Sequence, residues 1–189
     1  KEQYGTTSKT FNLTTGSIIA RGGINEINLT EGATLILNNE NGEVQTQSNQ
    51  SNNNTKSIIN FNGTGGTLQG NITTNAGTAT ITVADSASGT IKGNITGSGS
   101  NNIVFGATQG SSRGVQAQPL APTAPSLTLQ GATNTITSIT ANNAGTLILD
   151  GSQNAVNTEI ATLKNGNNLT ATFGAQSNEK TLKIKNVDS

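Results

Sequence analysis

A chain of 189 residues is long enough for one domain with a sizeable core, yet only 3% of this one is aromatic and only 11% is charged. Ten basic residues balance ten acidic ones, and no basic–aromatic interleaving occurs, so the charge gives no ground for a nucleic-acid or anionic-membrane partner. Cys and His are both absent, which leaves no disulfide framework, no thiol chemistry and no imidazole for general-base or metal work. No apolar run reaches the 18 residues or so that a spanning helix needs, so no membrane insertion is expected of this segment. With no signal peptide and no initiator Met, the chain reads as a processed or excised segment.

Residues 1–23 include "TFNLTTGSIIARGG", which predicts one or two entry strands. Residues 24–108 alternate β-branched and small polar residues and predict about four repeats. Within them "GTLQGNIT" (66–73) returns as "GTIKGNIT" (89–96), a shift of 23 residues. Ile59 and Phe61 return as Ile81 and Val83, and again as Ile103 and Phe105, each time after 22 residues. The stretch 38–56 has Val44 as its only sizeable aliphatic residue. It reads as a polar loop thrown out from the stack, or as a repeat with one very weak face.

All three prolines fall in 109–126, which reads as a linker or an extruded loop, because proline cannot donate within a central strand. From 127 to 189 the repeats resume. Leu127 and Leu129 precede Leu147 and Leu149 by 20 residues, and Leu147 precedes Leu169 by 22. A second distance, eight residues, separates Ile27 from Leu35, Ile95 from Ile103 and Ile139 from Leu147. "NTEIATLKN" (157–165) is the only stretch that could make a short helix, and its flanks argue against one. No polar cap follows "TLKIKNVD", so the repeats are expected to be truncated here and to continue in the parent protein.

A period near 22 residues with short alternating strands predicts an all-β right-handed parallel β-helix, a β-solenoid with rungs of about 20–23 residues. Every second side chain points inward, so Leu147 and Leu149 face the core while Thr146 and Ile148 face out. Single rungs cannot bury these residues, so rungs stack. Asn and Gly belong at the corners, where positive φ is often needed and amide side chains can form ladders. A sandwich would show no repeat, a propeller needs repeats of about 40 residues, and the calcium-binding nonapeptide pattern is absent.

"NNAGTLILDG" (142–151) and "ATLILNNENG" (33–42), in a Cys-free, Asn/Thr-rich chain, resemble the passengers of bacterial autotransporters, in particular the family of the Helicobacter vacuolating cytotoxin and its toxin-like relatives. The resemblance covers most of 17–108 and 127–175. It implies a right-handed parallel β-helix that is secreted, or held at the cell surface by an outer-membrane barrel. Neither a barrel nor the toxin's glycine-rich apolar segment has a counterpart in this sequence.

Polysaccharide-cleaving β-helices need clustered carboxylates, often with calcium and a catalytic Arg or Lys. Asp85, Asp150 and Asp188 are far apart, and one period from Asp85 or Asp150 lies Ala107 or Thr128. Glu26 and Glu31 sit beside turn residues, and Ser8 beside Lys9 is no evidence of a dyad. "GTGG" (63–66) lacks the lysine and helix of a phosphate loop. Arg21 and Arg113 read as loop charges, and the Asn-x-Ser/Thr triplets follow from composition. The Thr-x-Thr phrases "TATIT" (78–82), "TNTIT" (133–137) and "LTATF" (169–173) resemble ice-binding surfaces, but their threonines keep no single period and also suit any outward strand position.

The expectation is therefore a non-enzyme with no catalytic, cofactor-binding or metal residues. It would be a section of a secreted or surface-exposed passenger acting as adhesin or stalk. Its partners would be a host-cell receptor or glycan, or another copy of itself, met through 38–56 and 109–126. A non-catalytic recognition or oligomerisation module of a secreted toxin is the alternative, and a polysaccharide-acting enzyme comes third.

Overall fold

The repeats close into rungs of three short strands each. A computed structural model describes residues 10–13, 17–38, 40–47, 54–107, 123–151, 155–175 and 179–188. The first rung is β1 (Thr10–Leu13), β2 (Ile18–Arg21) and β3 (Ile24–Leu29), and the second is β4 (Thr34–Leu37), β5 (Glu43–Gln47) and β6 (Lys56–Phe61). The third is β7 (Gly66–Gln69), β8 (Asn71–Thr74) and β9 (Thr78–Ala84), and the fourth is β10 (Ser88–Ile91), β11 (Ile95–Thr96) and β12 (Ser100–Ala107). From there the second and third strands fuse. The later rungs are β13 (Ser126–Leu129) with β14 (Thr133–Ala141), β15 (Gly145–Leu149) with β16 (Val156–Lys164), and β17 (Leu169–Phe173) with β18 (Lys180–Asp188).

Strands stack in parallel on their counterparts one rung away, which makes a parallel β-solenoid of about six turns. β1, β4, β7, β10, β13, β15 and β17 form the first face. The second face runs β2, β5, β8, β11 and the start of β14; the third runs β3, β6, β9, β12 and the end of β14. β16 and β18 continue both of these faces.

Alternation sends aliphatic side chains inward and stacks them in columns. On the first face Phe11, Leu35, Leu68, Ile91, Leu129, Leu149 and Phe173 follow one another. On the third face Ile27, Ile59, Ile81, Ile103, Ile139, Leu163 and Val187 do the same. The middle members are fully buried. Each exchanges water for aliphatic neighbours above, below and across, which contributes on the order of 1.5–3 kcal/mol per side chain. The 23-residue return of "GTLQGNIT" and the 22-residue returns of Ile59 and Phe61 are thus true stacking partners, as is the pair Leu127 and Leu147.

Rung length varies more than the sequence period indicates. Thr10 pairs with Thr34, Thr34 with Thr67, and Ser88 with Ser126. The long rungs carry 48–53 and 108–122, which lie outside the described residues; the strands on either side of each stay in register. Part of 38–56 is itself a strand. β5 lies between β2 and β8 with Val44 and Thr46 inside, and Thr46 Oγ1 meets Ser57 Oγ at 2.6 Å in the core. That is the weak-faced rung, its hydroxyls satisfying each other where an aliphatic pair would otherwise sit. Ser126, placed by sequence in the proline-rich segment, already belongs to β13.

Two sequence registers are corrected. Leu147 stacks on Ala171, and Leu169 stacks on Gly145, so this step is 24 residues and not 22. The eight-residue distance spans one corner for Ile27–Leu35 and Ile139–Leu147, from third face to first. For Ile95–Ile103 it spans another, from second face to third.

Candidate functional site

The corners gather polar side chains, because strands commit alternate residues to the core while turn residues are free to project. At the corner between the first and second faces, Asn38 and Glu40 both take positive φ. This bend carries the Glu40 carboxylate over the neighbouring rungs, where Lys92 Nζ lies 3.9 Å from Glu40 Oε1. The Gln69 amide sits between them; oriented as its neighbours require, its nitrogen donates to Glu40 Oε1 at 2.7 Å and its oxygen accepts from Lys92 Nζ at 3.3 Å. Asn71 Oδ1 accepts from the Asn94 backbone N–H, and Asn94 Oδ1 from that of Thr133, so the amides climb the corner as a ladder. Glu40, Asn71, Lys92, Asn94, Gln130 and Gly131 line an open groove of about 380 Å³. Its wall presents one carboxylate, one ammonium and several amides, a set that exchanges hydrogen bonds with a neutral, hydroxyl-rich ligand.

A second polar cluster lies on the outside of the third face. Asn60 Nδ2 donates to Asn28 Oδ1 at 2.9 Å and to Glu26 Oε1 at 3.2 Å, and Asn60 Oδ1 accepts from Thr82. These groups satisfy one another across adjacent rungs. A third cluster closes the last rung, where Lys185 Nζ meets Glu159 Oε1 at 2.6 Å. The hydrogen bond from Lys185, aided by its charge, holds the Glu159 carboxyl below the usual carboxylate range.

The aspartates do not converge. Asp85 sits at a corner beside Gly106 and Asp188 lies opposite Lys164. The Asp150 backbone N–H bonds to Leu129 O, which aligns Asp150 with Gln130 and not with Thr128. Among the described residues no three carboxylates come together as a cation site. Glu26 joins the asparagine cluster, while Glu31 lies against Gly63 in the next corner. Arg21 ends β2 opposite Gln47. Ser8, Lys9 and Arg113 lie outside the described residues.

The three Thr-x-Thr phrases fall on different faces: Thr80 on the third, Thr135 on the second, Thr170 and Thr172 on the first. The regular threonine column shares only Thr172 with these phrases. On the outside of the first face Thr10, Thr34, Thr67, Thr90, Thr128, Ile148 and Thr172 stack in strict register. Sequence reading missed it because the long rungs interrupt the period. It also missed Asn134, which points inward in a column otherwise headed by Ile18, Val44, Ile72 and Ile95. Asn134 Nδ2 donates to Thr158 Oγ1 at 3.2 Å, and its Oδ1 is buried without a partner.

The fold defines this chain as a parallel β-solenoid repeat protein. No protein-family model, curated protein or solved structure matches it.

Proposed function

We propose that the chain is a rigid section of a secreted or surface-exposed β-helical passenger of the autotransporter type, acting as an adhesive stalk in host-cell or cell–cell contact. The observation that carries this reading is the behaviour of the two long rungs. Chain is added at 48–53 and 108–122 while the strands on both sides remain in register. Added length that leaves a scaffold undisturbed is how binding segments are displayed on rigid frames. The amide-lined groove at Glu40 and Lys92 lies on the same scaffold and supports a glycan as partner. A parallel stack also resists extension, since each rung is held by backbone bonds to two others.

The test is binding of the purified chain to epithelial cells, beside a variant in which one glycine replaces 108–122. Loss of binding in the folded variant supports an adhesive role for that segment. Absence of binding by either protein removes the adhesive reading and leaves a spacer. The alternative, a non-catalytic recognition or oligomerisation module of a secreted toxin, draws on the exposed apolar side chains of the terminal rungs, Phe11, Ile24, Phe173 and Val187. Sedimentation decides it: concentration-dependent oligomers favour the module, and a strict monomer opposes it.

A further inference from the structure

The chain has three Asn-Gly pairs, Asn41–Gly42, Asn62–Gly63 and Asn165–Gly166. In such a pair the glycine nitrogen can reach the carbonyl carbon of the asparagine side chain, because no Cβ shields it. The fold treats the three differently. The Gly42 N–H is committed to Leu37 O at 2.8 Å, and turning that peptide plane breaks the bond. Asn62 Nδ2 donates to Asn28 Oδ1 at 3.3 Å. Gly63 is packed so closely on the preceding corner that a methyl would sit 2.7 Å from the Glu31 backbone nitrogen, so its peptide plane has no room to turn.

Asn165–Gly166 is open on both counts. Asn165 is exposed, and its side chain makes no hydrogen bond to the turn Gly166–Asn168. Among the described residues the Gly166 N–H has no acceptor. The chain is instead anchored on either side of it, where the Asn165 N–H donates to Asp188 O at 3.0 Å and Asn168 Nδ2 to Ala141 O at 3.1 Å. Asn165 sits at φ 55 and ψ 46, so turning one peptide plane carries the free Gly166 nitrogen onto the Asn165 side-chain carbonyl. That turn breaks one backbone bond, from the Asn168 N–H to Asn165 O, at a corner where water can replace it. Glycine follows the rotation without strain, and what a methyl there would meet is the side chains of Val187 and Leu163, not backbone.

We propose that Asn165 is a site of spontaneous, irreversible modification. The Gly166 nitrogen attacks Asn165 Cγ, the new N–Cγ bond closes a cyclic imide, and Nδ2 leaves as ammonia with the glycine proton. Water then opens the imide at either carbonyl and leaves aspartate or its β-linked isomer. Both products put a new carboxylate beside the end of β18, which the Asn165 N–H holds through Asp188 O. The β-linked product also adds Cβ to the backbone of the corner that leads into β17. This goes beyond the scaffold reading and does not depend on it.

The test ages the full chain in mildly alkaline buffer, once folded and once in urea, and reads each Asn-Gly pair by peptide mass spectrometry. The expected result is conversion at Asn165 several-fold faster than at Asn41 or Asn62 in the folded chain, with the difference gone in urea. Gly166→Ala, which shields the nitrogen with a methyl, should slow conversion at Asn165 several-fold in a variant whose circular dichroism matches the parent. Conversion at Asn165 no faster than at the other two overturns the proposal, whether or not the variant folds. So does a preference that survives in urea, which would trace it to sequence neighbours and not to the fold. An undiminished rate in folded Gly166→Ala overturns it as well.

Discussion

Phe61 and Gly89 meet across the interior, the ring reaching from the third face to the backbone of the first. A methyl at Gly66 would sit 2.9 Å from Phe61 Cδ1, and one at Gly89 would come closer still. Two rungs on, the Phe105 ring fills the space over Gly145 in the same way, 2.6 Å from where a methyl would be. Few aromatic residues are present, and these two are spent where a glycine opposite leaves room. Gly89→Ala is expected to destabilise the chain by about 1–3 kcal/mol through overpacking. Phe61→Leu removes the clash, so the alanine costs less in that background. A double-mutant cycle followed by urea unfolding measures the coupling.

Ile81 lies fully buried in the middle of its column, while Thr80 faces out beside it. Ile81→Ala is expected to cost about 2–5 kcal/mol. Thr80→Ala should stay within about 0.5 kcal/mol of the parent. Equal effects at the two positions in chemical denaturation would contradict the alternation.

Asn134 and Thr158 interrupt an aliphatic column and leave one carbonyl oxygen unsatisfied. Replacing both, by Asn134→Leu with Thr158→Val, is expected to raise stability by roughly 1 kcal/mol, since the stranded amide oxygen goes at the cost of the one hydrogen bond that Gly131 O accepts from Asn134 Nδ2. Thermal unfolding reads this directly, and a lower Tm for the double variant would contradict it.

Residues 108–122 are expected to be dispensable for folding. Ala107 pairs with Ala84, and the Ser86 N–H donates to Thr123 O at 3.0 Å, so the preceding rung covers the same corner with Asp85 alone between Ala84 and Ser86. One glycine in place of 108–122 should preserve the far-ultraviolet dichroism and leave Tm equal or higher, because a shorter loop costs less to close. A lost β spectrum would show that the segment holds the rungs together.

The Glu159–Lys185 pair gives the last rung a pH response. Its carboxyl is held below the usual range, so its contribution is complete at neutral pH and above the unfolded value. It is lost as pH falls through the lowered folded value. Both side chains are about half exposed, so the effect should be small and salt-sensitive. Amide protection in β18, corrected for intrinsic exchange, should fall on acidification in the parent and change less in Glu159→Gln.

The repeat architecture was legible because strand alternation and the 22- and 23-residue shifts are local signals. Ile59, Ile81 and Ile103 are stacking partners, as their spacing predicts. Register was less legible, because a slip of two residues keeps every side chain on its own side of the sheet. Leu147 and Leu169 look like partners for that reason, although Ala171 is the residue on which Leu147 rests. The "Gly-Thr-Leu" words at 66–68 and 145–147 are also out of step, since Thr67 shares its column with Ile148 and not with Thr146. The threonine column was hidden by the added chain at 48–53 and 108–122, and the groove at Glu40 by positive-φ turns that no spacing rule anticipates.

Stacking across the longest rung is the claim on which the column, the displayed segment and the continuous core all depend. The chain has no Cys, so it can be tested with introduced pairs. In Thr90→Cys/Thr128→Cys the two sites are in register on adjacent strands, with Cα atoms about 5 Å apart, within the range a disulfide spans. In Thr90→Cys/Ile148→Cys they lie two strands apart, roughly 10 Å, beyond that range. Mild oxidation followed by mass spectrometry should show an intramolecular disulfide in the first variant and free thiols in the second. A disulfide in the second, or none in the first, would contradict the register.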